Sequence, residues 1–400
     1  MWPVSSPAIP NGAVLVDAAG HILEVGPEAR IPKPPAFQEL SAPDALLLPG
    51  LINAHTHLEL TEFRDAIPES DFFEWIQHVR RRKEKVPPDA YLEAARCGVR
   101  EAWAAGITTV ADTGDSGAVA RALTELGGRG IAYQEVFGPN PDQAEGSLRG
   151  LRESVTRLAG EAGSSVRIGV SPHAPYSVSG ALYRRVVEFA RAESLPLATH
   201  LAESREETAF LTARTGPFAD LWRRRGLPFP PLARSPVGYL EGMGVLGPRT
   251  LVIHAVHTDG EDRRILAEAG CAVALCPRSN ARHGHGAPPI AAYLQAGGPV
   301  ALGTDSVASV GSLDLFAEAR AAHALAPLDA PTLIRLLTLD AARALGMQDE
   351  IGSLEPGKWA DFCLLKVPAR REPADRVLEA QSSDVVATWV AGRLVAGGLE

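Results

Sequence analysis

The sequence predicts an α/β fold: a (β/α)8 TIM barrel joined to a small β-sandwich built from both chain ends. Three observations carry that prediction. Between Pro49 and about Gly346, short apolar runs alternate with amphipathic helical patterns, as in a parallel sheet with crossover helices. Four of the runs close on a histidine or an aspartate, at His55, His200, His254 and Asp305. Barrel enzymes place catalytic groups at the C-terminal ends of different strands, so this distribution is what such a site requires. The two chain ends read instead as short strands, neither with enough surface to fold alone.

Taken in order, residues 13–17 and 21–25 flank Ala18-Ala19-Gly20 and predict a β-hairpin. Eight barrel strands follow, at 51–54, 107–112, 130–136, 166–171, 195–200, 250–254, 271–276 and 299–304. Helical patterns such as 90–105, 181–193 and 313–325 fill the intervals. The longer interval 216–247 contains Leu227-Pro228-Phe229-Pro230-Pro231-Leu232 and reads as an excursion on the active face or as a passive surface loop. Further strands are expected at 361–366, 385–390 and 393–395. Residues 1–48 and 350–400 should therefore combine into the sandwich, with 49–349 forming the barrel.

Composition narrows the function classes. Of 400 residues 46% are hydrophobic, enough for a large core, yet no stretch approaches the roughly 18 consecutive apolar residues of a spanning helix. The first ten residues lack a basic region and an apolar core, so no secretory signal is expected and a cytoplasmic location is the default. Lysine and arginine number 39 against 48 acidic residues, a net charge of −9 without a basic stripe, which argues against nucleic acid as a partner. Cys97, Cys271, Cys276 and Cys363 show no Cys-x-x-Cys pair and read as buried free thiols.

The chemistry begins at His55 and His57. They follow the apolar run Leu46-Leu47-Leu48-Pro49-Gly50-Leu51-Ile52, which reads as a buried strand ending in a polar tip. In a strand, residues i and i+2 point the same way, so both imidazoles can converge on one divalent ion. An isolated His-x-His is more often a chance pair; the ligand-type residues closing three other strands favour a metal site. Glu203 alone would be a solvated carboxylate at a helix start, but beside His200 it reads as catalytic. His257 reads as structural. His283 and His285, in a glycine-rich loop, are expected to be solvated or to face substrate. His21, His78 and His323 have no supporting constellation.

Pro49-Gly50-Leu51-Ile52-Asn53-Ala54-His55-Thr56-His57, His200-Leu201-Ala202-Glu203, Val252-Ile253-His254-Ala255-Val256-His257 and Leu302-Gly303-Thr304-Asp305-Ser306 resemble the amidohydrolase superfamily. Within it they are similar to the branch of purine, pyrimidine and triazine deaminases and chlorohydrolases. The resemblance covers nearly the whole chain, including Gly352-Ser353-Leu354-Glu355-Pro356-Gly357-Lys358-Trp359-Ala360-Asp361 at the return into the sandwich. It implies one divalent ion, Zn2+ first and Fe2+ or Mn2+ next, held by His55, His57, His200 and Asp305. Asp305 would also accept a proton from water, Glu203 would protonate a ring nitrogen, and His254 would orient the attacking water. Relatives with two metals bridge them by a carboxylated lysine on the fourth strand; no lysine occurs from 86 to 357, so a mononuclear site is expected.

The same resemblance suggests substrate contacts. His173, in Ser171-Pro172-His173-Ala174-Pro175-Tyr176, lies where adenosine-type deaminases face the nucleoside, and Trp75 with Glu84 lies where related enzymes hold a ribose. Tyr133-Gln134-Glu135-Val136-Phe137-Gly138, Cys276-Pro277-Arg278-Ser279-Asn280 and the Asp305-Ser306 turn look like the aminodeoxyfutalosine deaminases of menaquinone biosynthesis. Arg278 would then meet the substrate's benzoate, with Glu135, Asn280 and Ser306 nearby. The alternatives are an S-adenosylhomocysteine, methylthioadenosine or adenosine deaminase, or a chlorohydrolase or amidase of the same superfamily. The expected partners are a small adenine nucleoside derivative and, as an option, a second copy of the chain in a homodimer.

Overall fold

The run Leu46 to Ile52 is continuous in sequence but forms parts of two strands in space. In the computed structural model, which describes residues 1–68, 71–366 and 372–398, it divides at Gly50. Strands β1 (Gly12–Val16) and β2 (Ile22–Pro27) form the predicted antiparallel hairpin. Strand β3 (Ala45–Pro49) then pairs far along the chain, whereas β4 (Leu51–Thr56) enters the barrel. The single strand read from the apolar run is therefore corrected to two. Gly50 is the joint because a Cβ there would lie 2.1 Å from Thr108 Oγ1.

The eight-stranded parallel sheet runs in order through β4, β5 (Ile107–Gly114), β6 (Arg129–Val136), β7 (Val166–Pro172), β8 (Leu197–Leu201), β9 (Thr250–His254), β10 (Ala272–Leu275) and β11 (Val300–Leu302). At the seam between the outer strands Asp305 N donates to His55 O at 3.0 Å, which brings two predicted site residues together. The expected helices span Pro88–Ala104, Gly180–Ala192 and Leu315–Leu325. Side chains such as Ile131, Ile253 and Ala274 are buried in the core of the barrel, while most of the remaining core lies between its strands and outer helices. Among the described residues no helix is long and apolar enough to cross a membrane.

The interval 216–247 carries two helices, Gly216–Arg224 and Pro236–Gly242, and the first borders the central cavity. The active-face alternative is the correct one for that segment. Three cysteines are buried as expected; Cys97 is the exception, exposed on the outer face of its helix.

Strands β12 (Phe362–Lys366), β13 (Val385–Val390) and β14 (Arg393–Gly397) join β3 in an antiparallel sheet of order β14-β13-β12-β3, so the chain ends do meet. Gly20 of the hairpin turn packs on the β13–β14 turn, where a Cβ would lie 2.2 Å from Ala391 O. Arg129 on β6 ties this assembly to the barrel. Its Nε donates to Asp361 Oδ2 at 2.6 Å, both side chains are 2% exposed, and its guanidinium lies 4.8 Å above the Trp359 ring. Removing one partner of a buried pair strands the other charge, at a cost of about 3–5 kcal/mol. Arg129→Met is accordingly expected to lower unfolding free energy by that amount in denaturant titration. A loss below about 1 kcal/mol would show that the pair does not hold the two parts together.

Candidate active site and metal centre

The four strand-end residues singled out from the sequence converge. His55 Nε2 lies 3.4 Å and His57 Nε2 3.5 Å from Asp305 Oδ1. The His55 ring is centred 4.8 Å from His57 and 5.0 Å from His200. Donor atoms of His55, His57 and His200, and of His55, His254 and Asp305, lie within 4.8 Å of one another in two overlapping groups.

The hydrogen bonds around these rings are those of metal ligands. His57 Nδ1 meets Thr113 O at 2.7 Å and His200 Nδ1 meets His173 O at 3.2 Å, so a carbonyl takes the Nδ1 proton and Nε2 is left as a lone-pair donor. His55 is fully buried, and neither of its ring nitrogens has a hydrogen-bond partner. An orphaned imidazole at the heart of a folded protein needs a reason, and an ion provides one. Burial pushes the pKa of His55 down to about 4 and that of His200 well below the usual range, keeping both neutral as ligands must be. For Asp305 burial works in the opposite direction, but the neighbouring His55, His57 and His254 overcome it and hold the carboxyl well below its ordinary value. Three neutral imidazoles and one carboxylate suit a borderline divalent ion.

Asp305 and His254 both adopt positive φ, 61° and 71°, in the left-handed region that non-glycine residues avoid. Such strain persists where the surroundings over-determine it, and here those surroundings are visible. Ser279 Oγ donates to Asp305 Oδ2 at 2.5 Å, and His254 Nδ1 meets Asn280 Oδ1 at 3.0 Å. His254 Nε2 then faces Glu203 Oε1 at 3.4 Å, and His285 Nε2 approaches the same oxygen at 3.4 Å. Burial would raise the Glu203 carboxyl, but His254 and His285 hold it down at about 2. Glu207 fixes the segment by accepting the backbone N–H groups of Ala202 and Glu203, each at 2.9 Å.

These groups face a cavity of about 790 Å³, within the usual range for small-molecule sites. Of the substrate contacts expected from the sequence, Trp75, Glu84, Glu135 and His173 line it. Glu135 is buried beside His200, with Oε1 4.0 Å from Nδ1, and burial pushes its pKa well up. Glu84 stands at the rim, exposed and 3.3 Å from Arg80.

Three of the residues expected at the substrate are not among those that line the cavity. Arg278 is not among the lining residues; it bonds to Val310 O at 2.9 Å and pairs with Glu318 at 3.5 Å, anchoring a loop. Asn280 positions His254 rather than substrate, and the Ser306 hydroxyl accepts from Ser309 N to cap a short helix. Of the two alternatives for the His283–His285 loop, the solvated one fails: both histidines are buried, and His283 lines the cavity against Trp75 with ring centres 4.6 Å apart. The backbone N–H of His257 donates to Ala202 O at 2.8 Å, a bond that is independent of its side chain.

Sequence reasoning missed Ser279, although it lies between two residues that were chosen. It also missed Lys83, whose ammonium enters the cavity wall between Glu59 and Asp115, 2.6 Å from each. Those two acids stand two residues beyond His57 and Thr113, so Lys83 braces both sides of a ligand's hydrogen bond. No local pattern announces it.

Fold and site together define a barrel hydrolase equipped for a divalent metal. The chain belongs to the amidohydrolase family, whose pattern matches residues 46–395, and is a hydrolase acting on carbon–nitrogen bonds. It is 33% identical over 404 residues to a 5-methylthioadenosine/S-adenosylhomocysteine deaminase of Syntrophobacter fumaroxidans, covering 96% of this chain and 88% of that one. It is 31% identical over 367 residues to a 5'-deoxyadenosine deaminase of Methanothermobacter thermautotrophicus, covering 88% and 82%. An adenosine deaminase from Xanthomonas campestris with bound zinc superposes with a TM-score of 0.85 at 27% identity, covering 98% of this chain and 90% of that one. A zinc-bound atrazine chlorohydrolase from Arthrobacter aurescens gives 0.80 at 26% identity, covering 96% and 90%.

Proposed function

We propose that this protein is a hydrolytic deaminase of an adenine nucleoside derivative and that its substrate is 6-aminodeoxyfutalosine, on the futalosine route to menaquinone. The observation that carries the deaminase reading is Glu203 facing His254 Nε2 at 3.4 Å beside the three-imidazole, one-carboxylate cluster, at the floor of an aromatic-walled cavity. His55, His57, His200 and Asp305 would hold the ion, Zn2+ before Fe2+ or Mn2+. When bound, such an ion supplies an acidified water, with a pKa lowered to about 7, as the nucleophile.

The chain's own residues do the rest. Asp305, ionised and fixed by Ser279, takes a proton from the attacking water and passes it to the departing amino group. Glu203 is a base at rest, so it takes up the other of the water's two protons before delivering it to the purine ring nitrogen next to the reacting carbon. His254, its Nδ1 proton taken by Asn280 Oδ1, turns Nε2 toward the attacking water and orients it. The balance is one water consumed, the C–N bond to the amino group broken, a C=O formed and ammonia released. His173, its Nδ1 bonded to Ser177 Oγ at 2.7 Å, presents Nε2 to the base, and Trp75 and Glu84 offer stacking and polar contact for the ribose.

The finer assignment is supported by the Tyr133–Gly138 and Cys276–Asn280 motifs and by a cavity that continues beyond the reacting end. The names of the relatives favour a second reading, methylthioadenosine or S-adenosylhomocysteine deamination. A comparison of kcat/KM on aminodeoxyfutalosine, S-adenosylhomocysteine, methylthioadenosine and adenosine decides. Aminodeoxyfutalosine is expected to lead by at least about tenfold, the weight of one selective interaction. Preference for methylthioadenosine would replace it with the second reading; no ammonia from any of the four would end both.

A further inference from the structure

The cavity's lining is not uniform in charge. Its inner end carries Glu135, Glu203 and Asp305, which disfavour an anion there. Four arginines and lysines also line it, and three are already neutralised. Lys83 pairs with Glu59 and Asp115 at 2.6 Å, Arg121 with Glu161 at 3.2 Å, and Arg80 with Glu84 at 3.3 Å. Arg225 alone among these makes no side-chain hydrogen bond or ion pair with any described residue.

The position of Arg225 is set by helix geometry. Phe218, Leu221, Trp222 and Arg225 all line the cavity, a spacing of 0, 3, 4 and 7 that places them along one face of helix Gly216–Arg224 and the residue that caps it. Phe218 stacks on Tyr176 with ring centres 4.0 Å apart, Tyr176 lies 5.8 Å from His173, and His173 lies 4.8 Å from His200. The stripe therefore starts against the ring cluster around the metal centre, and its seven-residue span carries it about 10 Å further along the helix axis to Arg225. A cation in a last helical turn also suits the helix dipole, which accounts for Arg223 and Arg224 as neighbours. The dipole does not account for one of the three facing a cavity while remaining uncompensated.

We infer that Arg225 is the anchor for a carboxylate that the substrate carries beyond its nucleoside, at the outer end of an aromatic path. The inference rests on the deaminase reading of the inner site and moves the anion contact from Arg278 to Arg225. Guanidinium suits the task because its planar fork matches a carboxylate and stays charged at every relevant pH. With acids at one end and a free cation at the other, the cavity also sets substrate direction: amino group inward, carboxylate outward.

Two probes differing only in the charge test this: 5'-S-(4-carboxyphenyl)-5'-thioadenosine and 5'-S-phenyl-5'-thioadenosine. Ammonia release from both is measured for the wild type, Arg225→Met, Arg225→Glu and Arg278→Met. Arg225 is exposed, so its replacement should leave folding intact, and melting temperature checks this. The expected result is a wild-type preference for the carboxylated probe that falls roughly tenfold in kcat/KM ratio in Arg225→Met, the low end for a charge-assisted hydrogen bond at an exposed site. Arg225→Glu should lower the ratio further, and Arg278→Met should keep it. A ratio unchanged in Arg225→Met, or one that falls only in Arg278→Met, overturns the anchor while leaving the deaminase reading in place. No ammonia from either probe with wild-type protein overturns the anchor together with the reading on which it rests.

Discussion

Glu203→Gln is expected to lower kcat by about 10²–10⁴ while the protein keeps its metal. The substitution preserves shape and removes the carboxylate proposed to carry a proton between water and a ring nitrogen. Glu203 stands one side chain away from the ligand set: its contacts are His254 and His285, each 3.4 Å from Oε1, and its backbone is held by Glu207. Metal content by elemental analysis should therefore match the wild type, and the loss should fall on kcat more than on KM. A variant with near-normal turnover would remove Glu203 from the mechanism. Loss of metal with loss of rate would make it a structural support of the ligand cluster instead.

Chelation is expected to abolish activity, and active protein should contain roughly one divalent ion per chain. The residues give the reason. A two-metal site of the bridged kind needs a lysine whose neutral amine can be carboxylated, and none occurs from 86 to 357. Lys83 does reach the cavity wall, but Glu59 and Asp115 outweigh its burial and raise its pKa, so it stays an ammonium. A second donor group, Glu135 with His173 and His200, exists within 4.8 Å, yet it shares His200 with the proposed first set and would have to compete for it. Restoring one equivalent of Zn2+ to apoprotein should recover turnover. Two tightly bound ions, both required, would contradict the single-ion site.

Much of this was legible in the sequence because the signals are local. A strand that ends in histidine or aspartate is visible in a window of six residues, and barrel order turns four such endings into one site. The eight strands fall where the apolar runs stand, with shifts of a residue or two at their ends, as at 195–200 against Leu197–Leu201. What failed is equally informative. Arg278, Ser279 and Asn280 sit on successive positions of one helical turn, about 100° apart around its axis, so proximity in sequence put them on different sides. Ser279 reached Asp305, Asn280 reached His254, and Arg278 turned to Glu318.

The sequence by itself therefore determined the class of the fold, which strands close on a histidine or aspartate, and the absence of a bridging lysine. These depend on residue type and on periodicity within single elements. Only the tertiary structure decided which side of each helix faces the cavity and which charges inside it are already cancelled. Lys83 is neutralised by acids 24 and 32 positions away, and Arg278 by one 40 positions away. Whether a cation is free to bind a ligand is a property of its partners, and pairing across such separations is written in the packing of the chain, not in any stretch of it.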